Sequence, residues 1–181
     1  MPSYPSWPTN AYLTPKKIDF TAKTLGAKYQ SPFTGKQQVY RYGGQFWELN
    51  LTFAPMIQSN AEELTAFLTS LGGMETPFYF KLPTKLVINT PQTITVSSSG
   101  NDFSGGSGVE IGKFGYCATS PNRLVKFTSA STLFPKLPYT GNPITINNTT
   151  GALFRLSTND VSFSIDEMMI TNTVIPIIEV I

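Results

Sequence analysis

The sequence predicts a mainly β chain of the α+β kind, in which a sheet of sandwich type is flanked by one α-helix and carries a small inserted β-barrel-like domain. Three observations predict it. Over 45–53, Trp47, Leu49, Leu51 and Phe53 fall on one side and Glu48, Asn50 and Thr52 on the other, the period of two that marks a half-buried strand. Over 59–73, Leu64, Phe67, Leu68 and Leu71 recur at helical spacing between a polar start and Gly72-Gly73, which makes one amphipathic helix. Between about 85 and 148, short β-rich runs alternate evenly with turn residues, as in a small barrel or sandwich.

Taken in order, residues 1–15 carry Pro2, Pro5, Pro8 and Pro15. Proline fixes φ and removes donors, so this segment is expected as an extended arm. Tyr4, Trp7 and Tyr12 lie between the prolines, and aromatic rings are rarely left wholly in water. They are therefore candidates for docking on a neighbouring subunit. A strand is expected over 18–29 with a turn at Gly26. The run Ser31-Pro32-Phe33-Thr34-Gly35 is turn chemistry, and its Phe33 joins the candidate interface residues. A strand over 36–42 should end in a tight reversal at Gly43-Gly44. The alternating strand follows, and Pro55 closes it.

The helix is expected from about 60 to 71. Ser59 is placed as N-cap with Glu62 completing a capping box, and Gly72-Gly73 supply the left-handed stop. A strand at 78–80 follows. In the middle region strands are expected at 86–89, 93–96, 109–118, 123–128 and 144–147, with 97–108 (SSSGNDFSGGSG) as a loop. Strands at 153–156, 161–165 and 174–180 finish the chain. The simplest organisation is an arm (1–15), a sheet-plus-helix domain (16–82 with 153–181), and an inserted β domain (83–152).

Composition narrows the function. The chain has 181 residues, no histidine and one cysteine. Without histidine there is no Ser-His-Asp or Cys-His arrangement and no histidine metal ligand. Cys117 cannot form an intrachain disulfide and is expected as a small buried hydrophobe. The glycines around 105–112 do not match a nucleotide-binding loop. Asn101-Asp102 lacks the oxygen spacing of a calcium loop. Asp166-Glu167, adjacent in a strand, would point to opposite faces, and so cannot serve as the paired carboxylates of a glycosidase. No catalytic residue, metal or cofactor is expected, and the chain is read as a non-enzyme.

Charged residues are 13% of the chain, against roughly 25% in an average soluble domain. A surface so poor in charge fits burial against other subunits, or a surface of uncharged polar groups. The net charge of +2 implies no strong electrostatic partner and no sequence-specific reading of nucleic acid. The start, MPSYPSWPTN, lacks the layout of a signal peptide. The apolar end, VIPIIEVI, is too short to span a bilayer.

Two stretches together carry a resemblance: SPFTGKQQVYRYGGQFWELNLTFAPM at 31–56 and AEELTAFLTSLGG at 61–73. They resemble the amino-terminal half of the distal-tail family of tail proteins from long-tailed bacteriophages. The closing runs Gly151-Ala152-Leu153-Phe154-Arg155-Leu156 and 161–167 resemble that family's last strands. The helix here carries no basic residue, where arginines often mark the family's helix region. The resemblance implies a structural virion protein, assembled in the host cytoplasm, that forms a ring, usually a hexamer, at the tail tip. It implies one face on the tail tube protein and another on the hub and receptor-binding or fibre proteins, with DNA passing through the channel unread. The alternatives are another tail tube or connector ring, or a carbohydrate-binding module using Tyr116, Tyr139 or Phe103 as a stacking platform.

Overall fold

The computed structural model describes residues 4–119, 121–160, 164–166, 169–171 and 173–181, with backbone alone over 164–166 and 169–171. In chain order, a short 3-10 turn (Ala11–Leu13) precedes β1 (Lys17–Gln30), β2 (Gln37–Thr52), β3 (Met56–Ile57), α1 (Gln58–Ser70) and β4 (Phe78–Phe80). After a second 3-10 turn (Thr84–Leu86) come β5 (Gln92–Val96), β6 (Phe103–Gly105), β7 (Phe114–Cys117), β8 (Arg123–Phe127), β9 (Leu133–Phe134) and β10 (Pro143–Asn147). The chain ends with β11 (Ala152–Leu156), β12 (Ser164–Asp166), β13 (Met169–Thr171) and β14 (Val174–Glu179). The fold is mainly β with one α-helix.

The first sheet has the order β1-β2-β14-β11-β4, every pair antiparallel. The alternation read in the sequence is realised in β2: Trp47, Leu49 and Leu51 are buried, and Glu48, Asn50 and Thr52 are half-buried. Helix α1 turns Ala61, Leu64 and Leu68 into the core, its Phe67 meets Phe78 of β4 edge-on at 5.7 Å, and Leu71 follows them inward. Pro176 sits in the central strand β14 opposite Asn50. Its C=O accepts from the N–H of Ser157, one residue past the end of β11. The donor that proline lacks is thus missing at a strand's end and not within a ladder.

The second sheet, β6-β5-β10-β7-β8-β9, closes on itself. Asp102 and Thr132 form an antiparallel bridge between its two edges, with Phe103 N–H donating to Ser131 O at 2.8 Å and Leu133 N–H to Asn101 O at 2.9 Å. Six short strands thereby make a small barrel with no free edge at that seam. Its interior holds Ile94, Val96, Leu124 and Ile146, and the rings of Phe103 and Phe127 meet edge-on at 5.5 Å. A third, minor sheet pairs β12, β13 and β3.

The barrel is an excursion between β4 and β11, and its core is continuous with that of the first sheet. Phe20 of β1 stacks on Phe114 of β7 at 4.7 Å, and Trp47 of β2 meets Phe114 and Phe134 edge-on. One ionic cluster joins the same two bodies. Glu179 Oε1 accepts from Arg123 Nε at 2.9 Å and from the Leu124 N–H at 2.8 Å. Its Oε2 accepts from the Trp47 N–H at 3.1 Å and from Arg123 Nη2 at 3.3 Å. Arg123 Nη2 also donates to Gln45 O at 2.7 Å. Burial raises the Glu179 carboxyl above its ordinary value, while Arg123 and the two amides pull the other way. Tyr116, wholly buried in the barrel, accepts from the Leu82 N–H at 2.7 Å and so ties the crossing segment down.

Several local expectations are corrected. Gly26 is not a turn and Gly43-Gly44 is not a reversal: both lie inside one long β1–β2 ladder. A bulge there sets Tyr42, Gly43 and Gly44 against Leu25, since Thr24 pairs with Gln45 and Gly26 with Arg41. Gly43 has φ +74°, and a Cβ on Gly44 would come within 2.7 Å of Leu25 Cδ1. The glycines thus serve a bulge. Ser59 does not cap the helix. Pairing of β3 with β13 carries the chain directly into α1, which starts at Gln58 with Ile57 as a cap lacking a side-chain bond. Glu62 instead accepts from Gln58 Nε2 at 2.8 Å. The strand expected at 86–89 is a 3-10 turn followed by a single bridge, Val87 to Phe114. The expected loop 97–108 contains β6, and β9 was not foreseen. Residues 161–163 and 167 of the expected final strands lie outside the described residues.

Removing either linchpin of this core should be costly. Glu179→Ala strands Arg123 without its anion, and a loss of about 3–5 kcal/mol in urea unfolding is expected. Trp7→Ala, for the packing described next, should cost about as much, roughly 3–5 kcal/mol. A midpoint unchanged in either variant would contradict the packing.

Candidate assembly surface

The four residues singled out from the sequence separate into different environments. Trp7 is in the chain's own core, 9% exposed. Its ring stacks on Phe53 at 5.9 Å and meets Phe67, Phe78 and Phe80 at 5.4–5.7 Å. Its Nε1 donates to Leu13 O at 3.0 Å. The arm docks on its own subunit: Ser6 bridges Tyr79 in parallel, Trp7 N–H donates to Tyr79 O, and Tyr79 N–H donates to Pro5 O. The segment thereby extends the first sheet past β4, whose open edge would otherwise need another cover. Trp7 is therefore corrected from a neighbour contact to a core residue. Tyr4 is half-buried, edge-on to Tyr79 at 6.3 Å. Tyr12 and Phe33 are exposed, at 74% and 95%.

Phe33 stands at the tip of a long β-hairpin. The turn predicted at 31–35 is formed: Gly35 N–H donates to Ser31 O at 3.0 Å, and Ser31 N–H donates to Lys36 O at 3.0 Å. From the bulge to this turn, β1 and β2 pair only with each other among the described residues. None of the residues 25–44 joins the hydrophobic core. The hairpin leaves the body at Gln45, whose Oε1 accepts from Asn101 Nδ2 at 3.1 Å and from the Lys136 N–H at 2.8 Å.

The register distributes side chains to two faces. Ala27 pairs with Tyr40 and Tyr29 with Gln38, which sets Tyr29 and Tyr40 on one face with Leu25 and Tyr42 at its base. Lys28 pairs with Val39 and Gly26 with Arg41, which makes the other face basic. All three tyrosines, Leu25 and Val39 are exposed. Two strands without a packed face are marginal by themselves in water, and a cluster of exposed aromatics on free strand edges marks a contact surface. The sequence did hold a sign of this. Gln37, Gln38, Val39 and Tyr40 show no apolar alternation, so this half of β2 has no inward stripe to bury.

Among the described residues, no three His, Cys, Asp or Glu side chains converge. Tyr116 and Phe103, offered as a sugar platform, are buried at 0% and 6% exposure because they fill the barrel; Tyr139 alone is exposed. Burial pushes the Cys117 thiol up to about 11 and the Tyr116 hydroxyl up to about 12. A crevice of about 330 Å³ runs between the arm and β4, lined by Trp7, Pro15, Tyr79 and Lys81 among others, and brings no set of reactive groups together. Among the described residues, no helix is long and apolar enough to cross a membrane.

No protein-family model and no curated protein matches this sequence.

Two outcomes follow from this placement. Phe33→Ser should leave thermal stability within about 0.5 kcal/mol of the parent, as for other surface changes, in contrast to Trp7→Ala. Both buried acids, Cys117 and Tyr116, have folded pKa values raised above their ordinary 9.0 and 10.0. Their contribution is complete below about pH 9 and is lost as pH rises through the folded values, because only the unfolded chain ionises in between. Urea midpoints should fall from pH 9 upward. Cys117 should resist a thiol reagent at pH 8 until the chain unfolds, and rapid native-state labelling would refute its burial.

Proposed function

We propose that the chain is the repeating subunit of a structural ring, of the distal-tail kind, at the tip of a long-tailed bacteriophage tail. In this reading it is a structural protein and not an enzyme, a homo-oligomer with six copies in the ring. It joins the tail tube protein to the hub and receptor-binding or fibre proteins, and leaves a channel through which DNA passes unread. It belongs in the virion, after assembly in the host cytoplasm.

The observation that carries the reading is the hairpin. A mainly β body with a sound core extends two strands well beyond that core and loads them with exposed tyrosine, leucine and phenylalanine. Such a limb is stabilised when a second surface covers it. The resemblance at 31–56 and 61–73 supports the same reading, since the first stretch spans this hairpin from its turn to its base. A tube or connector ring elsewhere in the tail would use the limb in the same way, and position in a virion map separates the two. The sugar-binding reading has lost two of its three rings to the barrel interior.

The mass in solution, measured by light scattering across a dilution series, tests the proposal. The parent chain is expected as a discrete hexamer. A variant with 27–40 replaced by Asn-Gly, a two-residue turn suited to the Gly26–Arg41 pair, is expected as a folded monomer. A parent that is monomeric at every concentration would overturn the ring.

A further inference from the structure

Charge is segregated along this chain. No Asp or Glu occurs between Asp19 and Glu48, a stretch that holds Lys23, Lys28, Lys36 and Arg41. Lys23 pairs with Glu48 at 2.9 Å. The other ion pairs among the described residues are Lys17–Asp19 and Arg123–Glu179, so Lys28, Lys36 and Arg41 have no acidic partner there. The opposite holds for 54–80, which carries Glu62, Glu63 and Glu75 and no Lys or Arg. All three of these acids are exposed. Glu62 and Glu63 are held by neutral donors only, Gln58 Nε2 and Asn10 Nδ2, each at 2.8 Å. Tyr12 and Ile57 are exposed as well.

Resting on the ring reading above, we propose that the basic face of the hairpin docks on the acidic helix α1 of the next copy of the chain. The occupant is chosen by charge complementarity: an acid-free limb with uncommitted cations, and a cation-free helix with uncommitted carboxylates. On that face Lys28 stands opposite Val39, two residues or about 7 Å of strand from Arg41, and Glu62 and Glu63 are adjacent on α1; Lys36 precedes β2 and is not part of the face. Limb and helix are different surfaces, so the contact is heterologous and propagates head to tail, the geometry a closed ring requires. The tyrosine face points the other way and is not part of this contact.

Charge reversal tests it with two variants, Lys28→Glu with Arg41→Glu, and Glu62→Lys with Glu63→Lys. All four sites are exposed, and unchanged melting curves verify folding. Each variant alone should assemble about tenfold or more weakly, because attraction at two positions becomes repulsion. Mixed in equal amounts they should recover the parent's mass, since each acidic limb then meets a basic helix and each basic limb an acidic helix. A parent ring with both variants assembling at parental affinity would overturn this docking and leave the ring standing. Reduced assembly in either variant that mixing does not restore would overturn it equally. A parent that is monomeric at every concentration would overturn both. A limb variant that keeps its mass but loses binding to a labelled single-stranded oligonucleotide would reassign the basic face to nucleic acid.

Discussion

Two bodies with different closure rules are joined in this chain through the carboxylate of Glu179. A sheet with open edges can slide or splay, while a closed barrel cannot, so their junction must be specified in direction as well as in area. Four donors from two strands, β8 and β2, converge on one buried carboxylate. Arg123 comes from the barrel and the Trp47 amide from the sheet. Hydrophobic contact between Phe20, Trp47, Phe114 and Phe134 supplies attraction but tolerates small rotations. A carboxylate with both oxygens committed to fixed amides tolerates fewer. Removal of the partner of a buried ion is the severe case, and here it would release both bodies at once.

Legibility of the fold followed how local each signal was. The β2 alternation, the α1 stripe and the Gly72-Gly73 stop involve neighbours in sequence, and they stand as read. Gly43-Gly44 misled because glycine pairs serve reversals and bulges alike. Only Leu25, far back in the chain, decides for the bulge. Ser59 lost its role to a long-range pairing, that of β3 with β13. β9 is two residues long and exists because a barrel must close, which no local pattern announces. Trp7 reads as a docking residue because an aromatic ring on an extended arm is rarely left wholly in water. The cavity that receives it is built from Phe53, Phe67, Phe78 and Phe80, which converge only in three dimensions.

The surface followed the same logic in reverse. Phe33 was legible as exposed because turn chemistry surrounds it. The tyrosines of the limb were not, because tyrosine in a strand usually reports a packed face. What distinguishes Tyr29, Tyr40 and Tyr42 is that, among the described residues, no opposing layer packs beyond the bulge. That absence belongs to the topology: β14 accompanies β2 only from Glu48 to Thr52.

The bulge at Gly26 and Gly43-Gly44 also divides the chain into two regimes of tolerated change. Body-side substitutions are judged by a dense core and a buried ion pair. Beyond it, 25–44 contribute nothing to that core, so a new side chain there is judged only by the surface it meets. Loop length at the tip is similarly unconstrained, since lengthening a closed loop adds little entropy cost. A scaffold partitioned this way can acquire a different binding preference through a few tip substitutions while its folding machinery stays untouched.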